Sequence, residues 1–261
     1  MKGLTGGRGY TGQPLYMHLR YHPLLLAGVL FVSLTLARAD VPPVASPNVD
    51  CKIVHAVKPV YPFRLMNDGV RHGAARIGIN VDSSGRLTDA LIVAYTHQEF
   101  GEVALEAIRQ WTFEPGRING EAVSTVMEVT FEFEIENGFA LIKQHTSMQE
   151  DAQLQKAREK YVYQADSLRD LDHIPMPVHV SDPEYPKDWE KQGIVGTVVV
   201  EFYIDETGKA RLPLAPKAPN AMLAATALAT VRQWQFDPPT CKGHPVLVRT
   251  QTIFTFGGDK K

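Results

Sequence analysis

The chain has 261 residues, of which 44% are hydrophobic, and its formal net charge is −2 at pH 7. This length and composition are typical of a globular protein with room for one large domain or two small ones, each with a buried core.

An apolar run, LLLAGVLFVSLTLA, occupies residues 24 to 37 and follows a segment that contains Lys2, Arg8 and Arg20. The run is shorter than the roughly 20 residues that a membrane-spanning helix needs. Ala37 and Ala39 fit the small-x-small pattern of a cleavage site. We therefore expect residues 1–39 to be a signal peptide, cleaved after Ala39, which would place the mature protein in an oxidising compartment outside the cytoplasm. The alternative is an uncleaved membrane anchor.

Cleavage would leave an acidic protein. Residues 1–39 hold four of the 27 basic side chains and none of the 29 acidic ones, so the remaining chain has a formal net charge of −6. Such a balance argues against nucleic-acid binding. The short Pro-containing lead at 40–49 is followed by Cys51, and the second cysteine is Cys241. In an oxidising compartment the two thiols either form one disulfide or stay free, and their spacing matches no zinc motif.

Two nearly identical heptapeptides reveal an internal duplication. RQWTFEP at residues 109 to 115 returns as RQWQFDP at 232 to 238, an offset of 123 positions. The same offset aligns glycines, turn aspartates and the final aromatic residues over some 75 residues, so the unit is a whole domain. We call residues 50–138 repeat 1 and residues 172–257 repeat 2; residues 258–261 are a tail.

Each repeat has readable periodicities. Alternation at Ala75, Ile77, Ile79 and Val81 predicts a half-buried strand, and DSSG or DETG supplies the turn of a hairpin. Apolar residues at spacings of three and four then predict a helix, which Pro115 or Pro238 ends. A final alternating strand follows, with Val126, Glu128, Thr130 and Glu132 pointing away from the helix side in repeat 1. The order predicts an α+β fold, with a small antiparallel sheet in each repeat and helices on one face.

The segment between the repeats, 139–171, has another character. SMQE at 147 to 150 fits a capping box, and apolar residues form one stripe through the charged run to Asp170. This pattern predicts a helical linker that is either a spacer or a partner-binding helix.

The ordered set of motifs resembles the TonB C-terminal domain family. The set is Pro-x-Tyr-Pro, a glycine before the first strand, Asp-x-x-Gly, Arg-x-Trp-x-Phe-x-Pro and a last strand ending in Phe-x-Phe. Its members in this chain are Tyr61, Pro62, Gly85, Trp111, Phe113 and Pro115 in repeat 1, and Tyr185, Pro186, Gly208, Trp234, Phe236 and Pro238 in repeat 2. Repeat 2 departs in its second strand, where three prolines predict a strand that is short, lost or at an edge.

The residues give no support for an enzyme. The histidines lack ligand spacing, and no nucleophile elbow or phosphate-binding glycine loop is present. We expect no metal, no cofactor and no small-molecule substrate. Trp111 and Trp234 lie on the apolar helix stripe, so we expect them in the core.

The resemblance therefore implies a function carried by surfaces. Domains of this family lie in the periplasm of Gram-negative bacteria and bind an extended peptide of outer-membrane receptors along their last strand, by strand addition. The matching edges here are residues 124–134 and 247–255, with Val126, Glu128, Thr130, Glu132, Arg249, Gln251 and Ile253 as the candidate contact residues, and we expect repeat 1 to be the better binder. Lys58 and Asp182 precede the Pro-x-Tyr-Pro motifs, where energy-transducing relatives often have glutamine.

We expect a non-enzymatic periplasmic binding or adaptor protein whose partner is a protein or peptide, such as a TonB-dependent outer-membrane receptor. One alternative is an anchored energy transducer for outer-membrane transport. A second is a structural pseudo-dimer in which the edges of the two sheets pair with each other.

Overall fold

The computed structural model describes residues 50–118, 120–147 and 161–257, and both repeats lie in one compact unit. The expected signal peptide, most of the lead, the C-terminal tail and the centre of the linker fall outside these residues.

Repeat 1 follows the predicted order of strands and helices. Its elements are β1 (Lys52–His55), α1 (Phe63–Asn67), β2 (His72–Val81), β3 (Leu87–Tyr95), α2 (Gln98–Ile108), β4 (Thr112–Glu114), β5 (Gly116–Ile118), β6 (Glu121–Val123), β7 (Thr125–Glu136) and β8 (Phe139–Ser147). Two short strands follow in the linker, β9 (Tyr163–Gln164) and β10 (Asp166–Ser167). The main sheet has the order β8-β7-β2-β3-β9, with every neighbouring pair antiparallel.

Repeat 2 is built in the same way. Its elements are β11 (Pro177–His179), α3 (Lys187–Lys191), β12 (Gly196–Ile204), β13 (Ala210–Leu214), α4 (Ala221–Val231), β14 (Gln235–Phe236), β15 (Thr240–Cys241), β16 (His244–Pro245) and β17 (Val248–Phe256). Its main sheet has the order β10-β17-β12-β13. The predicted α+β class with two small, mainly antiparallel sheets is confirmed.

The hairpin turns form at the predicted Asp-x-x-Gly motifs. Oδ1 of Asp82 accepts hydrogen bonds from the backbone N–H groups of Ser84 and Arg86, and Asp205 does the same in repeat 2. Gly85 has a φ of +83°, and a Cβ there would lie 2.5 Å from the carbonyl oxygen of Phe113. Only glycine, which has no Cβ, can readily adopt this left-handed conformation so close to the Phe113 carbonyl oxygen.

The helix side of each sheet holds the core. Ile77, Ile79, Phe100 and Phe131 are fully buried in repeat 1. Trp111 is buried, as predicted, and its Nε1–H donates to the carbonyl oxygen of Val57 at 2.8 Å. Trp234 repeats this arrangement with the carbonyl oxygen of Ser181 at 3.1 Å. The Pro-x-Tyr-Pro tyrosines are equally symmetric: Tyr61 donates to Val70 O at 2.8 Å and Tyr185 to Ile194 O at 2.9 Å.

The second strand of repeat 2 is short and lies at the edge of its sheet. β13 has five residues where β3 has nine. Pro213 lies within it, and Leu212 has a φ of +49°. Because proline lacks the N–H that a central strand donates, the strand is confined to an edge position, as predicted.

The linker differs from the predicted helix wherever the structure describes it. Residues 139–147 form β8, which extends the sheet of repeat 1, and residues 163–167 form β9 and β10. Tyr163 stacks on Tyr95 at a centroid distance of 4.8 Å, and its hydroxyl donates to Glu206 of repeat 2. Contacts with both sheets thus stabilise an extended backbone at residues 163–167, where the local sequence pattern predicted a helix.

The two repeats pack through the sheet faces opposite their helices. Leu91, Val93, Tyr203, Leu212 and Leu247 form a buried apolar cluster between them. Gly78 of β2 makes this approach close, since a Cβ there would lie 2.5 Å from Cδ1 of Leu212. The alternative in which the edges of the two sheets pair with each other is wrong: the repeats meet face to face, and β7 and β17 belong to separate sheets.

Candidate functional site: the edges of the two sheets

The last strand of repeat 1 is not an open edge, contrary to expectation. β8 pairs with β7 from Glu136↔Phe139 to Glu128↔Ser147. The turn between them is Asn137-Gly138, with φ values of 50° and 82°. Two successive residues with positive φ form the tight turn that matches the twist of a hairpin, and Asn-Gly is its strongest sequence signal. The expected repeat boundary at 138 therefore falls in the middle of a hairpin.

The candidate contact residues of β7 do not form a free surface. Glu128 accepts a hydrogen bond from the Tyr203 hydroxyl at 2.7 Å and lies 3.7 Å from the buried Arg76 guanidinium. Thr130 is buried, and Val126 packs on the apolar cluster between the repeats. Burial raises the pKa of Tyr203, and the Glu128 carboxylate raises it further, so this hydroxyl stays protonated and donates. Glu128 and Val126 thus contact repeat 2, and Thr130 is inaccessible to a partner.

Glu132 is the exception among the four candidate residues of β7. It is exposed and lies opposite Lys143 on β8, while His145 Nε2 lies 3.8 Å from its Oε2. Its contacts are therefore made to β8.

The last strand of repeat 2 is open over most of its length. β17 pairs with β12 along all nine residues, but on its other side β10 pairs only with Val248 and Arg249. Over residues 250–256 no other described strand lies on that side. We call this stretch the open edge.

The direction of the backbone groups at the open edge follows from one hydrogen bond. Asp166 N–H donates to Leu247 O at 2.8 Å, so residue 247 directs its backbone groups toward β10. Because successive residues of a strand alternate, Gln251, Ile253 and Thr255 direct their N–H and C=O groups toward the open edge. Gln251 and Ile253, both predicted as contact residues, are exposed there. Arg249 is engaged on the sheet face by Glu201 at 2.8 Å.

Equivalent core residues differ in burial between the covered edge of β7 and the open edge of β17. Phe131 is fully buried in repeat 1, where β8 covers the edge. Its counterpart Phe254 is only partly buried in repeat 2, as are Thr250 and Thr252. An added strand would cover this half-exposed side and satisfy a row of unpaired backbone groups.

The other predicted positions are Lys58, Asp182 and the two cysteines. Lys58 and Asp182 are exposed and follow the carbonyl groups that hold the two tryptophans. Cys51 and Cys241 are both free thiols, so no disulfide joins them in the structure.

Within residues 50–118, 120–147 and 161–257, no group of three or more His, Cys, Asp or Glu side chains is placed to hold a metal ion. The helices among these residues are all too short or too polar to cross a bilayer.

Comparison with known proteins identifies the family. The family model "Gram-negative bacterial TonB protein C-terminal" matches residues 57–135 and again 181–257, together more than half of the chain. The chain belongs to this family. The predicted tandem arrangement of two TonB C-terminal domains is thereby confirmed.

Relatives match only part of the chain. The protein TonB of Vibrio cholerae serotype O1 (strain ATCC 39315 / El Tor Inaba N16961) is 35% identical over 75 residues, which is 28% of this chain and 31% of that protein. The match thus spans about a third of this curated relative's length. The solution NMR structure of the Pseudomonas aeruginosa TonB C-terminal domain is 27% identical, covers 37% of this chain and 96% of that one, and gives a TM-score of 0.31.

The TonB C-terminal matches also delimit the repeats. The first match ends at residue 135, within β7, and the second at residue 257, directly after β17. β8 therefore lies outside the part of repeat 1 that matches the TonB C-terminal family.

Proposed function

We propose that this TonB-type protein is a periplasmic, non-enzymatic binding or adaptor protein that takes an extended peptide by strand addition at the open edge of repeat 2. The observation that carries the proposal is the unpaired side of β17 over residues 250–256, next to the half-exposed Phe254. A backbone ladder supplies affinity in this mode of recognition, and alternate side chains supply selectivity.

The family and the fold support a peptide of an envelope protein as the partner. A natural candidate is the periplasmic segment of a TonB-dependent outer-membrane receptor. The free part of the edge carries no charge, since Thr250, Gln251, Thr252, Ile253, Phe254 and Thr255 are all neutral. Recognition at this edge thus relies on backbone pairing and on contact with Ile253 and Phe254.

The test is a proline at an outward position of the open edge. Ile253→Pro removes an N–H that points away from β12, so it spares the ladder within the sheet but deprives an incoming strand of a donor. Ile253→Thr is the matched control, because it removes the same apolar side chain and keeps the N–H. The readout is pull-down of envelope proteins and titration with synthetic receptor peptides.

We expect Ile253→Pro to abolish capture and Ile253→Thr to weaken it only modestly. Unchanged binding by a folded Ile253→Pro variant would show that strand addition does not occur at this edge.

An anchored energy transducer remains the alternative, and it depends on residues 24–37, which the structure does not describe. Mass spectrometry of the protein isolated from cells decides between the two. An N-terminus at Asp40 supports the periplasmic adaptor, and an N-terminus at Met1 supports the transducer.

A further inference from the structure

A polar cleft of about 640 Å³ lies between the two repeats. Its volume is within the range of about 300 to 1,000 Å³ in which proteins hold small molecules. We call it the inter-repeat cleft. The residues that line it include Asn80, Asp89 and Ser124 of repeat 1 and Lys209, Arg211 and Arg232 of repeat 2. None of the described residues of β17 lines it, so the cleft is separate from the open edge.

One side of the cleft holds a fixed network of polar side chains. Asn80 is buried, its Nδ2 donates to Thr88 Oγ1, and its Oδ1 accepts a hydrogen bond from Ser124 Oγ at 2.9 Å. Thr88 Oγ1 in turn donates to the carbonyl oxygen of Asn80 at 3.1 Å. Thr88 and Ser124 are themselves exposed and line the cleft. Such an array suits a ligand with hydroxyl groups, because a hydroxyl both donates and accepts.

The carboxylates of the cleft already have partners. Asp89 is held by Arg211, with a distance of 3.0 Å between Oδ2 and Nε. Asp82, which also lines the cleft, accepts hydrogen bonds from the backbone of its own turn and pairs with Arg86 at 3.0 Å. Neither carboxylate therefore presents an uncompensated negative charge to a ligand.

Lys209 lacks the partner that its counterpart in repeat 1 has. The offset of 123 residues aligns it with Arg86, which pairs with the turn aspartate Asp82. In repeat 2 the turn aspartate Asp205 pairs instead with Arg211 at 3.0 Å. The Lys209 ammonium thus has no ion-pair partner in the part of the chain that the structure describes.

Arg232 is a second cation of the cleft with no ion-pair partner among the described side chains. It directly follows α4, and partial burial lowers the pKa of its guanidinium. The group nevertheless stays charged at neutral pH. A cation that has lost part of its hydration gains from an anion beside it, and a guanidinium can hold a carboxylate or a phosphate with two parallel hydrogen bonds.

We infer that the inter-repeat cleft binds a small anion that carries hydroxyl groups, namely a sugar acid or a sugar phosphate. Lys209 and Arg232 bind its carboxylate or phosphate, and the network around Asn80 binds its hydroxyl groups. Because this ligand contacts both repeats, its binding stabilises their packing. The inference does not rest on peptide binding at β17.

The experiment is calorimetric titration of the full chain with four probes: glucuronate, glucose 6-phosphate, glucose and inorganic phosphate. The test variant is Lys209→Gln/Arg232→Gln, which removes both unpaired cations. The matched control is Lys187→Gln/Arg109→Gln, because it removes the same charge at two exposed positions outside the cleft. Arg109 is also the counterpart of Arg232 in repeat 1.

A second variant keeps both cations. Ser83 is an exposed turn residue that lines the cleft, so Ser83→Glu places a carboxylate there that competes with the ligand's anionic group. Thermal unfolding without ligand shows that each variant is folded. NMR shifts of the Asn80 and Ser124 amides locate the bound probe.

We expect wild type and the control to bind glucuronate or glucose 6-phosphate more tightly than glucose or inorganic phosphate. The bound sugar anion should raise the melting temperature. Both Lys209→Gln/Arg232→Gln and Ser83→Glu should weaken this binding by about tenfold or more, since hydrogen bonds to charged groups are lost or opposed. Whether glucuronate or glucose 6-phosphate binds more tightly distinguishes a sugar acid from a sugar phosphate.

Three results would overturn the inference. Wild type that binds neither sugar anion at Asn80 and Ser124 has no such site. Glucose or inorganic phosphate bound as tightly as the sugar anions would show that the ligand class is wrong. Unchanged affinity in the folded Ser83→Glu variant would place the anion elsewhere. Peptide capture at β17 should be the same in all these variants, so the proposal for the open edge is tested separately.

Discussion

Arg211 on β13 of repeat 2 reaches across to Asp89 on β3 of repeat 1 and holds its carboxylate with two guanidinium nitrogens. The Nε–Oδ2 distance is 3.0 Å, and Nη2 contacts Oδ1. Arg211 Nη1 also lies 3.0 Å from Asp205. Hydrogen bonding to Asp89 raises the pKa of the guanidinium, so this bridge between the repeats is permanently charged.

Breaking this bridge should destabilise the protein. We expect Arg211→Leu to lower the free energy of unfolding by about 3 kcal/mol, because two partly buried carboxylates lose their common partner. Urea unfolding of the full chain measures the change. Arg86→Leu is the control, since the Arg86–Asp82 pair lies at the surface and its loss should lower the free energy of unfolding clearly less. Equal effects of the two variants would contradict the assignment.

Trp111 should be essential to the core of repeat 1. We expect Trp111→Ala to cost about 3 to 5 kcal/mol, because the deletion leaves a cavity between helix and sheet. It also removes the hydrogen bond to Val57. Chemical denaturation checks the loss. Trp189, which is only partly buried, provides a control whose replacement by alanine should cost clearly less.

Proline should distinguish the closed edge from the open one. Thr130 and Ile253 are equivalent, but the Thr130 N–H faces β8 and the Ile253 N–H faces the open edge. We expect Thr130→Pro to lower the melting temperature clearly and Ile253→Pro to change it little. Thermal unfolding followed by circular dichroism is the measurement. A comparable loss in both variants would mean that the edge of β17 is covered.

The Asn-Gly turn should control the attachment of β8. Gly138→Ala places a side chain at a φ of +82°, which costs about 1 to 2 kcal/mol in that conformation. We expect faster hydrogen exchange at the amides of β8 and unchanged exchange in β12. Gly120→Ala, at a φ of +86° in the turn between β5 and β6, is a control that should leave β8 unaffected.

Cys51 should react slowly with alkylating reagents. Burial is the main reason that its thiol pKa is raised to about 11, and the Asp50 charge adds to the shift. Since the thiolate is the nucleophile, the fraction that reacts at pH 8 is small and grows as the pH rises toward 11. We expect iodoacetamide to modify Cys51 far more slowly than a free cysteine peptide at pH 8, as mass spectrometry of the labelled chain can measure. A rate equal to that of the peptide would show that the thiol is not buried.

The sequence predicted those features that arise within one repeat. Alternation located the main strands, the apolar stripe placed Trp111 in the core, and Asp82 with Gly85 identified the turn. Each depends on residues close in sequence or on one amphipathic face, which periodicity reports directly.

The open edge residues Gln251 and Ile253 were predicted, but the surroundings of the β7 candidate residues were harder to predict because they depend on contacts between repeats. Arg76, Glu128 and Tyr203 are polar residues on the outer faces of their strands, and a polar outer face normally indicates solvent. Here they meet across the two sheets, which no local pattern reveals. β8 was missed for another reason. Asn137-Gly138 is a hairpin signal that the sequence shows. The family motifs end before this turn, however, so the repeat boundary was placed within it.

The linker strands β9 and β10 have a consequence for the size of any peptide bound to repeat 2. A single run from Tyr163 to Ser167 adds one short strand to the sheet of repeat 1 and another to the sheet of repeat 2. Its second strand, β10, pairs with Val248 and Arg249 of β17 and with no further residue of that strand. In the proposed strand addition, β10 would block an incoming strand at one end of the edge and would limit its pairing to residues 250–256. The position of β10 would then fix the length of the peptide segment that can pair with β17.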